Sequence, residues 1–105
     1  MSVIMTLWVM GDPARIEQAA GENPERMRSI ADRAVEQGLI AHRFYGGDGQ
    51  IMVVDEWPDE QSFHKFFDGV RSEVEELMQR AGVEAEPQIR FWRKLDTHDE
   101  VGWSA

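Results

Sequence analysis

The spacing of hydrophobic and polar positions divides the chain into four strand-like segments and two helical regions. Runs rich in β-branched and aromatic residues predict strands over 3–9, 39–45, 51–57 and 88–95. Hydrophobic residues three and four positions apart predict a long helix over 59–81. A first helical region follows Asp12-Pro13, and Asn23-Pro24 predicts that it breaks and restarts near Gly21. The predicted order is therefore β-α-β-β-α-β.

This order predicts a ferredoxin-like α+β fold, a four-stranded antiparallel sheet with the helices on one face. The first predicted strand is apolar on both sides, because Met5 and Leu7 alternate with Ile4 and Trp8. The helices can cover only one of these faces. A symmetric homodimer packed sheet to sheet is the simplest way to cover the other.

The length of 105 residues corresponds to one domain. We predict that this domain spans residues 1–95 and that residues 96–105 form a polar C-terminal tail, which docks through Trp103. The chain enters its first strand without the basic and apolar regions of a signal peptide, so a cytoplasmic location is expected. No apolar run approaches the roughly 18 residues of a membrane span, and no membrane partner is expected.

Charge and composition exclude several classes of function. The formal net charge is −9, which opposes binding to nucleic acid, and the only basic run, Arg90–Lys94, is typical of a strand with exposed cations. Cysteine is absent, which removes thiolate chemistry and cysteine metal sites. The three histidines are scattered, so no metal is expected.

A pocket is predicted on one face of the hairpin formed by strands two and three. The three glycines within 46–50 predict the hairpin turn. If Tyr45 pairs with Ile51, then Arg43, Asp55 and Trp57 lie on the same face as Tyr45. Apolar walls with a few polar groups are typical of a small-molecule pocket, while a dimer interface with an ion pair between Arg43 and Asp55 is the alternative.

The register decides which residues form that pocket. A shift of one residue would place Val54 and Glu56, rather than Asp55, on the face of Arg43 and Tyr45. Asp55 or His42 is also a candidate general base if apolar walls surround it. The residues themselves identify no catalytic group.

The segment Glu56-Trp57-Pro58-Asp59-Glu60-Gln61-Ser62-Phe63 resembles the signature of the antibiotic-biosynthesis-monooxygenase-like family, the dimeric α/β-barrel proteins. Size and element order agree with that family over residues 3–95. In the family, the helix-free sheet faces of two subunits enclose cavities that hold aromatic polyketides, quinones, haem or no identified ligand. The resemblance implies a homodimer that binds a small aromatic or apolar molecule.

The resemblance extends to the quinone-forming members, which use oxygen without metal or flavin and have a tryptophan at the position of Trp57. It implies a cofactor-independent monooxygenase in which Trp57 stacks on the substrate and Arg43 stabilises a developing phenolate or enolate. Where those members have an asparagine and a tyrosine, this chain has Val53 and Phe63. These two departures favour the alternative, a non-catalytic ligand-binding or assembly module. The candidate ligand-binding residues are Trp57, Arg43, Tyr45, Asp55, Val53 and Phe63.

The haem-degrading members resemble the chain less. Their axial histidine lies on the second helix and pairs with a first-strand asparagine, whereas this chain has no asparagine in its first strand and His64 stands out of register. Many members also have a histidine where this chain has Phe66. The resemblance therefore implies no haem site.

Overall fold

A computed structural model of the chain describes residues 1–83 and 85–103. Within these residues the chain forms four strands and three helices. The elements are β1 (Val3–Met10), α1 (Pro13–Glu22), α2 (Pro24–Glu36), β2 (Ala41–Gly47), β3 (Gln50–Trp57), α3 (Glu60–Arg80) and β4 (Gln88–Trp92). The predicted break of the first helical region is confirmed, since α1 and α2 are separate helices on either side of Asn23.

The four strands form one antiparallel sheet in the order β2-β3-β1-β4. The helices cover one face, so the predicted ferredoxin-like α+β fold is confirmed. Alternation drives this arrangement: Met5, Leu7 and Val9 of β1 are buried under the helices, while the residues between them are only half-buried. Gly69 does not interrupt α3, which runs as one helix from Glu60 to Arg80.

Each helix begins where a side-chain oxygen accepts a hydrogen bond from a free backbone N–H group. Asp12 accepts from Ala14 N at 2.9 Å, Asn23 caps α2, and Asp59 accepts from Ser62 N at 2.8 Å. These backbone bonds lower the pKa of Asp59. The cap fixes the direction in which α3 leaves the end of β3 and returns over the sheet.

Two arginine–glutamate pairs connect α2 to α3. Arg33 Nη1 and Nη2 donate to Glu73 Oε1 and Oε2 at 3.0 and 2.5 Å, and Arg26 Nη2 donates to Glu76 Oε2 at 2.6 Å. The hydrogen bond from Arg33 lowers the pKa of Glu73, and the hydrogen bond from Arg26 lowers the pKa of Glu76. The two-pronged geometry makes the Arg33–Glu73 pair the more directional of the two.

We expect Glu73→Gln to destabilise the protein near neutral pH and to have less effect in acid. Because folding lowers the pKa of Glu73, its stabilising contribution is complete above the ordinary carboxylate range and is lost as pH falls through the lowered value. The side chains of Arg33 and Glu73 are 38% and 33% exposed, so screening limits the effect to roughly 0.5 kcal/mol. Urea unfolding at pH 7 and at the lowest pH where the fold persists measures it, with exposed Glu17→Gln as control. An equal loss at both pH values would contradict the assignment.

The sheet face opposite the helices, the open sheet face, carries large side chains from all four strands. Met10, Tyr45 and Trp92 are each about half exposed on it. Two tryptophans are anchored there: Trp8 Nε1 donates to Gln50 Oε1 at 2.7 Å, and Trp92 Nε1 donates to Thr6 Oγ1 at 2.8 Å. A surface of this kind is typical of an interface between subunits.

The C-terminal tail does not dock through its tryptophan within the subunit. Strand β4 ends at Trp92, three residues earlier than predicted, and the chain continues without helix or strand to Trp103. Trp103 is 83% exposed and Val101 is 87% exposed, so that expectation was wrong for this chain alone. Residues 104–105 of the predicted tail lie outside the described residues.

Candidate functional site

The β2–β3 hairpin has a different register from the one predicted. Gly46 pairs with Ile51, so the predicted pairing of Tyr45 with Ile51 is wrong by one residue. The turn is made by Asp48 and Gly49 alone, and Gly49 has a φ of 68°, a conformation that favours glycine. Because the pairing differs by one residue, every side chain of β2 lies on the opposite face of the sheet from the one predicted relative to β3.

The predicted ligand-binding residues therefore divide between the two faces of the sheet. Asp55 and Trp57 are buried beneath the helices, with Val53 beside them. Arg43 pairs with Val54 and Tyr45 pairs with Met52, on the open sheet face. The structure brings the first group together and does not bring Arg43 or Tyr45 to it. An ion pair between Arg43 and Asp55 is accordingly absent from the described residues, and Arg43 instead donates to Tyr45 Oη at 3.3 Å.

A cavity of about 80 Å³ lies between the sheet and the helices. We call it the inner cavity. Its floor comes from β1, β2 and β3, and its roof comes from α2 and α3. The pocket was expected on the helix-free face, and this cavity lies on the opposite one. The reason is geometric: β2 places His42 and Phe44, rather than Arg43 and Tyr45, beneath the helices.

His42, Asp55 and Trp57 form one hydrogen-bonded network at this cavity. His42 Nδ1 lies 2.6 Å from Asp55 Oδ1, and Trp57 Nε1 donates to Asp55 Oδ2 at 3.0 Å. His42 and Asp55 are direct cross-strand partners, and Trp57 is two residues from Asp55 on the same face of β3. Of this network, His42 and Asp55 line the inner cavity, and the other lining residues within 1–83 and 85–103 are apolar. His42 and Asp55 thus form the only polar wall that the described residues give the cavity.

Burial and hydrogen bonding hold the side chains of this network in fixed orientations. Asp55 is 5% exposed and Trp57 is fully buried, and each carboxylate oxygen of Asp55 has a donor. The side chain of His42 is 34% exposed, so the network connects the cavity to solvent. With Nδ1 donating to Asp55, Nε2 of a neutral His42 carries a free lone pair. This arrangement can accept a proton from a bound molecule and pass it to water.

Aromatic side chains make the wall next to the network. Trp57 packs edge-on against Phe63, with 5.9 Å between ring centroids, and lies tilted against Phe66 at 5.5 Å. Phe63 stacks on Phe67 at 5.3 Å. Val53, Phe63 and Phe66 all line the inner cavity. At the two positions where the resemblance implied amide and hydroxyl groups, the cavity wall is therefore apolar, and His42 and Asp55 supply the polar groups instead.

The sequence singled out His42 and Asp55 separately but did not bring them together. The signal that could have done so was Asp48-Gly49, a dipeptide strongly favoured in two-residue hairpin turns. Within residues 1–83 and 85–103, no three histidine, aspartate or glutamate side chains converge as metal ligands. No helix in the same residues has the length and apolar character needed to cross a membrane.

Known structures share this architecture across almost the whole chain. A monooxygenase from the gene ActVA-Orf6 of Streptomyces coelicolor, solved with the ligand nanaomycin D, superposes with a TM-score of 0.68 at 16% identity, covering 91% of this chain and 89% of that one. A dimeric ferredoxin-like protein from an uncultured marine organism gives 0.67 at 16% identity, covering 98% and 93%.

The cofactor-independent oxygenase SnoaB of Streptomyces nogalater gives a TM-score of 0.62 at 13% identity, covering 94% of this chain and 98% of that one. No family model matches the sequence, and no curated protein matches it. At these identities the likeness concerns the fold. The chain therefore has the fold of the antibiotic-biosynthesis-monooxygenase-like proteins, as the resemblance around Trp57 predicted.

Proposed function

We propose that the protein binds a small apolar or aromatic metabolite in the inner cavity and removes a proton from it with His42. The observation that carries this proposal is the polar wall of the cavity, where His42 Nδ1 and Asp55 Oδ1 lie 2.6 Å apart among apolar side chains. Imidazole is the side chain best suited to proton transfer near neutral pH. The buried carboxylate orients the ring and stabilises the imidazolium that forms.

The reaction that fits this site is a cofactor-independent monooxygenation. His42 takes a proton from an acidic C–H group next to a phenol, and the resulting carbanion gives its electrons to O₂. The peroxide anion that forms takes the proton back from the His42 imidazolium and becomes a C–OOH group. Loss of the second C–H proton and of the O–O bond then gives a carbonyl and water. The balance is R₂CH₂ + O₂ → R₂C=O + H₂O, so one oxygen atom enters the product. Two proteins with this fold carry the oxygenase descriptions above.

Oxygen uptake tests the proposal directly. Purified protein is supplied with anthrones, polyphenols and hydroquinones, without added metal or flavin, while an oxygen electrode follows consumption and mass spectrometry identifies the product. We expect uptake of one O₂ per carbonyl formed, with one ¹⁸O atom in the product when ¹⁸O₂ is used. Binding of these compounds without any uptake would overturn the catalytic proposal.

A non-catalytic ligand-binding module is the second candidate, because Val53 and Phe63 give the cavity two apolar walls where the resemblance implied polar groups. In that case the same compounds bind and are released unchanged. The labelled-oxygen experiment separates the two candidates, since only the oxygenase incorporates ¹⁸O.

We also propose that two subunits pack through their open sheet faces. We expect the protein to be a dimer by native mass spectrometry and Val54→Glu to be a monomer, because the substitution places two new carboxylates in an apolar interface. Ser72→Glu, an exposed change on α3, is the matched control and should remain dimeric. A monomeric parent protein, or a dimeric Val54→Glu variant, would contradict this interface.

A further inference from the structure

The inner cavity is too small for a fused-ring ligand in its present shape. Its volume is about 80 Å³, whereas an apolar cavity of roughly 150 Å³ binds benzene, which has a single ring. Pockets for metabolites generally measure roughly 300–1,000 Å³. A fused-ring ligand that reaches His42 must therefore occupy additional space that the subunit opens to it.

A second space lies directly beside the inner cavity, on the other side of α3. This outer groove has a volume of about 390 Å³. Buried Val9 and Val83 and half-buried Ile89 belong to its apolar part, while exposed Arg71, Glu75 and Gln79 of α3 line its rim. The two volumes together fall within the range of metabolite pockets.

Only one layer of side chains separates the two spaces. Leu7, Phe67, Val74 and Met78 line both of them. Phe67 is held between Phe63, which stacks on it, and the guanidinium of Arg71, 4.9 Å from the centre of its ring. Val74 is branched at Cβ and rotates little. Met78 is the flexible member, because its unbranched thioether has three rotatable bonds.

We propose that the outer groove is the second half of the ligand site and that Met78 is the gate between the two halves. This inference rests on the proposed function of the inner cavity. An elongated fused-ring molecule enters through the outer groove, displaces Met78 and places its acidic end at His42. Its other end lies at the rim, where the cation of Arg71 and the carboxylates of Glu75 and Glu86 stand beside the amide of Gln79. With more acceptors than cations, this rim suits an uncharged hydroxyl group that can donate a hydrogen bond.

The test compares probes of different length in variants that alter only the groove. Titration calorimetry with phenol and with 9-phenanthrol, which has three fused rings and one hydroxyl, measures affinity. Gln79→Trp narrows the mouth of the outer groove, and Ser72→Trp places the same bulk on an exposed part of α3 that lines neither space. We expect Gln79→Trp to weaken 9-phenanthrol at least tenfold and phenol less than twofold, with both affinities unchanged in Ser72→Trp.

The gate is tested by rate. Met78→Leu conserves volume but stiffens the side chain, so the fold should persist while association of 9-phenanthrol, followed by stopped-flow fluorescence, slows at least fivefold. Unchanged association would overturn the role of Met78.

The outcomes separate this inference from the function on which it rests. Binding of 9-phenanthrol that is unaffected by Gln79→Trp would overturn the groove and leave the inner site standing. Binding of phenol without binding of 9-phenanthrol would likewise overturn the groove and leave the inner site standing. Failure of both probes to bind would overturn the ligand site as a whole.

Discussion

His42→Gln should lower the turnover number for an oxidised substrate by two to four orders of magnitude, while the protein stays folded and still binds the ligand. General-base catalysis by a positioned side chain contributes roughly 10²–10⁴ in rate, and glutamine keeps polarity without basicity. His42 is partly exposed and lies on a strand with few buried residues, so its replacement disturbs little packing. Initial rates of oxygen uptake at saturating substrate measure the effect.

Two further variants define the role of the network. Asp55→Asn keeps the size of the side chain but replaces one carboxylate oxygen with an NH₂ group, which donates rather than accepts. It should therefore favour the wrong tautomer of His42 and lower the turnover number at least 10²-fold, with a smaller change in KM. Arg43→Ala, on the open sheet face, should leave turnover within about twofold if the dimer persists.

Rates in His42→Gln should partly recover as pH rises, because hydroxide replaces the missing base.

An unaltered turnover number in His42→Gln would remove the proton-transfer role and leave the cavity as a binding site. A loss in Arg43→Ala as large as in His42→Gln would instead indicate that the open sheet face reaches the substrate, as the sequence had suggested. Thermal unfolding of each variant shows whether a loss of activity merely reflects a loss of fold.

The fold could be predicted because its signals agree with one another. The caps at Asp12, Asn23 and Asp59 start helices that the periodic pattern also predicts, and β1 and β3 alternate strictly between buried and half-buried residues. The first three strands are each followed by a turn signal, at Gly11-Asp12-Pro13, Asp48-Gly49 and Pro58-Asp59. Local and long-range preferences therefore favour the same arrangement.

The register of β2 could not be read in the same way. Along β2 only Phe44 is half-buried and the other residues are exposed, so burial selects weakly between two registers. Two residues on the sheet face beneath the helices, His42 and Asp55, are polar. They therefore depart from the rule that residues on a covered face are apolar. Their pairing is a tertiary contact, and the order of apolar and polar residues along the chain does not predict it.

The inner cavity and the outer groove could not be predicted from the sequence for a similar reason. Phe67, Val74 and Met78 recur at the three- and four-residue spacing that predicts the helix over 59–81, and they lie on the face of α3 that packs against the core. The spacing of a helix shows which face is buried, but not whether its side chains fill the space beneath them. Here they leave space on both sides. Cavities depend on the shapes of neighbours from several elements, which no periodicity encodes.

Trp57→Ala should destabilise the protein by about 3–5 kcal/mol, a large share of the stability of a domain of this size. Trp57 is fully buried, contacts Phe63 and Phe66, and donates to the buried carboxylate of Asp55. Its loss removes aromatic packing and leaves Asp55 Oδ2 without a donor. Urea unfolding at fixed protein concentration measures the change, because a dimer also couples stability to concentration.

Trp57→Phe separates packing from hydrogen bonding. It keeps most of the apolar contact and removes the indole N–H group, so about 1–3 kcal/mol should be lost through the unpaired oxygen of Asp55. The matched control is Trp103→Phe, whose ring is 83% exposed and whose change should stay within about 0.5 kcal/mol. Combining Trp57→Phe with Asp55→Leu should recover part of the loss, since the acceptor is then gone as well. If Trp57→Phe is as stable as Trp103→Phe, Asp55 draws its stabilisation from His42 alone.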